Sequence, residues 1–435
     1  MKRAFFGGIH PDDGKRYSAA APITPLAPPG QVVIPMSMHI GAPCKPVVQK
    51  GDRVKLGQLI AETTGFVAAP IHASVSGTVA AVEPRLHPNG QRVMSIVIDN
   101  DGLDTPDESV RPHTDEVEAD PGALLELVKA GGIVGMGGAT FPTHVKISSA
   151  LGKVDTMIVN AAECEPYITC DQRIMQEQPE RLIRGIRYLM RCLDLKEAVL
   201  AVEGNKPEAI AGLKKLLPAG SDVRLFVLRT RYPQGAEKQL IQSVTGRQIP
   251  PGGLPADVAC IVFNASTCLS VCDLVEEGLP SVQRVVTVSG PGVANPSNFL
   301  VRVGTPVSAL LEAAGGLRED VDKIILGGPM MGSAVFDPEV PVIKGTGAVL
   351  GLLPAQNRAK ENPVCIRCGR CVDACPMHLQ PLYLYAAERK KNLEELTRLN
   401  ITDCIECGCC AYVCPGRLQL VQAMKDGKVL VKTKK

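Results

Sequence analysis

Eight cysteines near the end of the chain carry its most specific chemistry. Cys365, Cys368, Cys371 and Cys375 follow the pattern C-x-x-C-x-x-C-x-x-x-C-P, closed by Pro376. Cys404, Cys407, Cys410 and Cys414 repeat it, closed by Pro415. In such a run the first three thiolates wrap one cubane iron–sulfur cluster, and the fourth, followed by proline, crosses to the other cluster. The pattern therefore assigns Cys365, Cys368, Cys371 and Cys414 to one [4Fe–4S] cluster and Cys404, Cys407, Cys410 and Cys375 to a second. Zinc, the competing metal, favours two C-x-x-C pairs or mixed Cys/His sets. Cys409 lies between ligands, and its side chain is expected to point away from the cluster.

A second constellation occupies the middle of the chain. Residues 131–146, GGIVGMGGATFPTHVK, offer Gly135, Gly137 and Gly138, then Phe141, then Pro142 at a helix start with Lys146 on that helix. Bare backbone N–H groups and a lysine converging on a helix N-terminus suit a phosphate. An apolar strand at 154–161 leads into NAAECEPYITCDQR, which puts Asn160, Glu163 and Glu165 at a strand end, where α/β sheets bind ligands. Further on, YPQGAEKQLI supplies Tyr232, Gly235 and Glu237, and a buried strand at 258–264 ends in Asn264. A glycine-rich loop alone also fits a tight turn. A lone Glu163 or Glu165 also fits a helix cap or a solvated side chain.

The elements that must position these groups read as four units. Residues 1–30 form an extended Gly/Pro/Ala arm. Short alternating strands between turns at 31–100 indicate a small all-β unit, and an acidic, Pro-containing stretch at 99–120 reads as a linker. A helix is expected at 121–130 with Asp120 as N-cap. Strands and helices then alternate to about residue 275, which indicates an α/β layer with a largely parallel sheet. Short strands, one helix and glycine pairs at 280–350 suggest a β-grasp-like module, and 348–363 leads into the cluster unit. Helical spacing at 382–399, between the cysteine runs, favours a helical ferredoxin arrangement. The domain limits expected are thus 1–100, 120–275, 280–350 and 360–422.

Composition narrows the class. The chain has 435 residues, 45% of them hydrophobic, and a net charge of +2, which gives no electrostatic footprint for nucleic acid. The start, MKRAFFGGIHPDDGK, lacks the apolar core of a signal peptide. No run of about 20 apolar residues is long enough to span a membrane. The basic tail from Lys425 onward reads as a solvated end, with an acidic partner or lipid surface as the alternative.

The order of the motifs resembles a known family. G-x-G-G-x-x-F-P-T-x-x-K, N-A-x-E-x-E-P, Y-x-x-G-x-E and a strand ending in Asn are similar to the flavin-carrying NADH subunit of respiratory complex I. The following module resembles the soluble-ligand-binding β-grasp domain found there. V-x-x-G-D-x-V-x-x-G-Q-x-I-A in the β unit resembles biotinyl/lipoyl-like barrel-sandwich domains, without the lysine hairpin of a carrier. With the N-terminal G-G-I-H-P-x-x-G-K and two cubane runs, the whole resembles C subunits of Rnf ion-translocating electron-transport complexes.

That resemblance implies a peripheral subunit on the cytoplasmic side of the membrane. It implies FMN, an NAD(H) site, two [4Fe–4S] clusters, and partners comprising membrane subunits and an iron–sulfur subunit, through which ferredoxin is reached. It implies that Gly135, Gly137, Gly138 and Lys146 hold the flavin phosphate region, and that Asn160, Glu163 and Asn264 contact the flavin. Phe141, Glu165 and Glu237 would line the dinucleotide site, and Tyr232 and Gly235 would close the pocket. Ala162, Ala236 and Ser149 depart from the complex I pattern, at two acids and an adenine-stacking aromatic. A flavin–cluster cobalamin reductase and a non-catalytic wiring adaptor are the alternatives. The first resembles this chain only from about residue 120. The attachment to partners is expected through the β unit and the cluster unit, with residues 1–100 separable from the flavin.

Overall fold

The structure, a computed structural model, describes residues 5–357 and 362–433. Expectations that fall on 1–4, 358–361 and 434–435 lie outside the described residues.

The β unit is a sandwich of two small sheets. One has the order Gln31–Pro35, Arg92–Asn100, Gly77–Leu86, Arg53–Val54, and the other Lys45–Pro46, Leu59–Glu62, Ile71–His72. Alternation along these strands buries Val32, Ile34, Ile60, Ile71, Ile96 and Ile98 in one core. Between this unit and the next, the acidic linker is irregular except for a short helix, Thr114–Ala119.

The α/β layer carries four parallel strands in the order Val223–Leu228, Ala198–Glu203, Thr156–Ala161, Cys260–Asn264. The chain moves outward from Thr156–Ala161 in one direction, then returns to its other side with Cys260–Asn264. The gap between these two strands is therefore the topological switch point, and ligands bind beyond the carboxyl ends of strands at such a point. Asn160 and Asn264 stand side by side there. The helix expected at 121–130 is Pro121–Ala130, and the Asp120 side chain accepts from Gly122 N.

The helix Pro179–Cys192 packs on Ala265–Glu277 through Leu182, Ile186 and Leu189. Its outer face pairs Arg181 with Asp273, Arg184 with Glu276 and Arg187 with Asp222. Each fully buried aliphatic side chain contributes about 1.5–3 kcal/mol, whereas exposed ion pairs contribute roughly 0–1 kcal/mol. Burial therefore holds this layer together.

The β-grasp module is a six-stranded mixed sheet that differs from expectation at both edges of its sequence. Ala348–Leu352, expected only to lead onward, is an interior strand between Gln283–Ser289 and Lys323–Leu326. Its five residues are all buried, so the apolar run AVLGL marks a two-sided strand. The far edge strand is Ile23–Pro25 from the arm, parallel to Ser297–Arg302. The arm therefore does not belong to the β sandwich in space.

Among the described residues after 361 there is no strand. The cluster unit is helical, with Pro381–Arg389 and Leu393–Arg398 between the cysteine runs. The basic tail is not merely a solvated end. Leu420–Lys432 is a helix that runs past residue 422 and buries Leu420, Ala423, Met424 and Val431. No helix among the described residues is long and apolar enough to cross a membrane.

Candidate functional site

The two cysteine runs build two pockets. Cys365, Cys368, Cys371 and Cys414 line one, with Leu382, Pro415 and Leu418. Cys375, Cys404, Cys407 and Cys410 line the other, together with Cys409, Pro376, Leu379 and Met424. Each pocket brings the last cysteine of one run beside the first three of the other. Four thiolates in this spacing, gathered around one pocket, fit a cubane cluster. Cys409 is fully buried, and its Sγ lies 4.0 Å from the Tyr232 carbonyl, against the α/β layer.

The pockets differ in their surroundings. Cys365 and Cys368 are exposed, and Val364 and Ile366 beside them are exposed as well. The pocket of Cys375 and Cys407 instead faces the α/β layer. Tyr232 Oη donates to Cys407 O at 2.7 Å, and Gln239 Nε2 to Pro376 O at 3.2 Å. Gly8 N donates to Ala374 O at 2.9 Å. Gly7 has φ 72°, and a Cβ there would sit 2.6 Å from Cys375 O, so the arm can pass this close only as glycine. The inner pocket is thus walled by the arm and by the segment that ends in Gly235.

At the carboxyl ends of the central strands the glycine-rich loop meets Asn160 and Asn264, and the space beyond this switch point is the candidate cleft. The glycine-rich loop is closed by Gly135 N donating to Phe141 O at 2.8 Å, and Pro142 precedes the helix Thr143–Ala150. A Cβ on Gly137 would lie 2.7 Å from Asn264 Nδ2, so this glycine lets the loop sit against the strand end. Asn264 caps the helix Ala265–Glu277 by accepting from Ser266 N. Met136 N donates to Thr267 Oγ1 at 2.9 Å, which ties the loop to the first turn of that helix. Asn160 Nδ2 donates to Gly235 O at 2.8 Å and fixes the opposite wall. The bare loop against a helix N-terminus is a cradle that fits a phosphate, and so the residues present fit a mononucleotide such as FMN.

The acidic residues divide. Lys146 Nζ pairs with Glu237 Oε1 at 2.8 Å across the cleft, so the lysine expected at the phosphate is committed to an acid expected at the dinucleotide. Glu163 has left-handed φ 49°, and its carboxylate accepts from Asp171 N at 2.7 Å, capping the helix Cys170–Glu177. Its other oxygen is 3.5 Å from Lys15 Nζ. Burial pushes the Glu163 carboxyl above its ordinary value, against the pull of Lys15 and Lys206. Glu165 accepts from Met330 N at 3.1 Å and faces Tyr232 Oη at 3.4 Å, in the seam between the β-grasp module and the inner pocket. Enclosure pushes it up to about 7. Glu163 and Glu165 therefore take the floor and the seam, and Glu237 the mouth.

Several residues at the site escaped the sequence reading. Lys15, from the arm, donates to Glu165 O at 3.3 Å and Ile168 O at 2.5 Å and is buried. Asp171 accepts from Asn264 Nδ2 at 2.8 Å and Ser266 Oγ at 2.6 Å. Lys206 Nζ donates to Ala162 O at 2.6 Å. Lys15 stands in the N-terminal motif that carried part of the family resemblance, which was the one signal available for it.

Comparison with known proteins agrees with this geometry. Family models match the RnfC barrel sandwich hybrid domain at residues 3–103 and the Nuo51 FMN-binding domain at 128–273. They match the SLBB domain at 285–334 and a 4Fe-4S dicluster domain at 364–417. Among solved structures, that of an NAD+-reducing [NiFe]-hydrogenase in the air-oxidized state aligns with TM-score 0.50 and 20% identity. The alignment covers 72% of this chain and 65% of that one, a likeness of fold. The C subunit of the proton-translocating ferredoxin:NAD(+) oxidoreductase complex of Clostridium ljungdahlii is 46% identical over 91% of this chain and 86% of its own length. The Na(+)-translocating counterpart of Acetobacterium woodii is 44% identical over 92% and 88%. The C subunit of the ion-translocating oxidoreductase complex of Rhodobacter capsulatus is 42% identical over 97% and 82%. These matches include the β unit that a cobalamin reductase would lack, and the chain belongs to the family of C subunits of ion-translocating ferredoxin:NAD(+) oxidoreductase complexes.

Proposed function

We propose that the chain is a peripheral oxidoreductase subunit on the cytoplasmic side of a membrane-bound complex. It exchanges electrons between NAD(H) and partner subunits, and through them ferredoxin, coupled to movement of Na+ or H+. FMN, when bound, supplies the exchange between two-electron hydride chemistry and single electrons, and two [4Fe–4S] clusters supply the single-electron relay.

The chain's own residues set the positions. Gly135, Gly137 and Gly138 with the first turn of Ala265–Glu277 would hold the phosphate, and Asn160, Gly235 and Asn264 the ring system. Phe141 and Glu237 stand at the mouth, where a nicotinamide dinucleotide would enter, and Glu165 and Tyr232 form the side toward the inner pocket. Lys146 orients Glu237. The eight cysteines would hold the clusters in crossed pairs. The inner pocket would receive electrons from the cleft, and the outer pocket, with its exposed thiols, would pass them to a partner.

One observation carries this reading: cleft and inner pocket share a wall. Tyr232 precedes Gly235, which Asn160 holds at the cleft, and its hydroxyl bonds the backbone of a cluster cysteine. The test is anaerobic purification of the full chain, followed by iron, sulfide and flavin analysis and titration with NADH. Iron and sulfide sufficient for two cubanes, releasable FMN and bleaching by NADH are expected. A protein fully loaded with iron and sulfide that neither contains nor takes up flavin overturns it.

A further inference from the structure

Behind the glycine-rich loop lies a charge that none of the motifs includes. Arg284, on the strand Gln283–Ser289 of the β-grasp module, is 3% exposed. Its Nη2 donates to Met136 O at 3.4 Å, while Nε and Nη1 have no hydrogen-bond partner. A buried guanidinium with so few partners is costly, and such groups persist where a charge nearby compensates them. The groups that act on it through space are the Cys170 thiol, which burial holds neutral by pushing it well above its ordinary value, and then Asp171, whose oxygens bond Ser266 Oγ and Asn264 Nδ2. Burial still pulls the guanidinium below its ordinary value despite Cys170 and Asp171. The compensation supplied by the chain alone is therefore incomplete.

The position of the charge selects what completes it. Arg284 holds the carbonyl of Met136, and the N–H of the same residue is tied to Thr267 in the first turn of Ala265–Glu277. The guanidinium thus sits where the glycine loop meets the first turn of that helix. Positive charge there adds to the helix dipole and raises the potential over the bare amides of Gly137 and Gly138. We propose that Arg284 is a positioning and charge-balancing residue for the phosphate of the bound mononucleotide, acting through the loop without touching it. This rests on the flavin reading above, and it gives the β-grasp module a part in cofactor selection.

The test compares FMN with riboflavin, which lacks only the phosphate. The full chain, with its clusters in place and its flavin removed, is titrated with each by quenching of flavin fluorescence. In Arg284→Met, FMN affinity should fall on the order of tenfold through loss of the buried charge, while riboflavin affinity stays as in the wild type. Arg284→Lys should keep the preference for FMN. Equal losses for the two ligands in Arg284→Met would make Arg284 a mere strut and overturn the proposal, as would no loss for either. If Arg284→Met does not fold, Arg284→Lys decides alone: a folded lysine variant that no longer prefers FMN is incompatible with a charge effect. A wild-type chain that binds neither ligand overturns the flavin reading itself, and one that binds both equally overturns only the role of Arg284.

Discussion

The sulfur pockets and the cleft at the strand ends are built in opposite ways. Each pocket draws its four thiols from two short runs within about fifty residues, and proline after the fourth thiol turns the chain away. The cleft draws on the glycine loop, two strand ends, the turn at Gly235, the arm and the β-grasp module. The pockets need reactive atoms at fixed offsets along one stretch. The cleft needs backbone held open by buried charges that arrive from elsewhere. Lys15, Glu163, Glu203 and Lys206 all lie at or below a few per cent side-chain exposure beneath the cleft, whereas the ion pair Lys428–Glu406 beside the inner pocket is partly exposed. Function in the pockets thus depends on which ligands are present. In the cleft it depends on what supports them.

The largest expected effect breaks the pockets. Cys414→Ser should remove or alter the cluster held with Cys365, Cys368 and Cys371, and Cys407→Ser the other. Low-temperature EPR of the two reduced variants should show damage to different signals, with Cys409→Ser retaining both. If Cys414→Ser and Cys407→Ser damage the same signal and spare the other, each run binds its own cluster.

The next effect breaks the cleft from a distance. Lys15→Met would leave Glu163 buried without its nearest cation. Breaking a buried pair costs about 3–5 kcal/mol, reduced here because the raised Glu163 can take up a proton. The midpoint of thermal flavin release should drop clearly, while Lys428→Met, at a partly exposed pair, should cost roughly 0–1 kcal/mol. Equal small shifts in both would remove the contrast between the regions. The same contacts rule out separating residues 1–100 from the flavin: Tyr167 N donates to Asp13 O at 2.7 Å, and Asn205 Nδ2 to Asp13 Oδ2 at 3.0 Å. A truncation meant to detach only the β sandwich must retain residues 5–26.

The difference in construction also governs what could be read from sequence. Cysteine runs and glycine loops are local, and their residue types state their chemistry. The parallel layer was legible because strands such as Ala198–Glu203 are apolar throughout but for their last residue. A buried lysine or arginine, by contrast, looks in sequence like a solvated one. Nothing in PDDGKRY says that Lys15 turns inward, and nothing in QRVVTVS separates Arg284 from a surface arginine. Ala348–Leu352 is hidden for a related reason: a short apolar run shows its partners, Lys323–Leu326 on one side and Gln283–Ser289 on the other, only in the completed sheet.

A smaller effect concerns pH. Burial pushes Glu203 up to about 7 from 4.5, while Lys206, 3.8 Å away, is pulled down to about 8 from 10.5 by the same burial. The two shifts agree: desolvation outweighs the attraction within the pair. For Glu203 the folded state keeps a proton that the unfolded chain releases first. The stability this contributes is present below pH 4.5 and is lost as pH rises to about 7. The wild type should therefore lose on the order of 1–3 kcal/mol across that window relative to Glu203→Gln. Parallel melting profiles for the two proteins would show that Glu203 stays hydrated.

The smallest expected effect lies on the wall that the two regions share. Tyr232 is 2% exposed, and its hydroxyl donates to Cys407 O at 2.7 Å. Its backbone pairs with Ile9 of the arm, N to O at 2.9 Å and O to N at 2.8 Å. Tyr232→Phe keeps the ring and both backbone bonds and deletes the hydroxyl, with its bond to Cys407 O and its 3.4 Å contact with Glu165 Oε1, a change of roughly 0.5–1.5 kcal/mol per bond. Global stability and flavin content should hardly move. The carbonyl of Cys407 would lose its donor, however, and hydrogen bonds around cluster ligands tune potentials. Redox titration followed by EPR should therefore shift the signal that Cys407→Ser removes and leave unchanged the signal that Cys414→Ser removes. A shift in the outer signal alone would place the flavin-facing wall against the other cluster and reverse the order of inner and outer pockets.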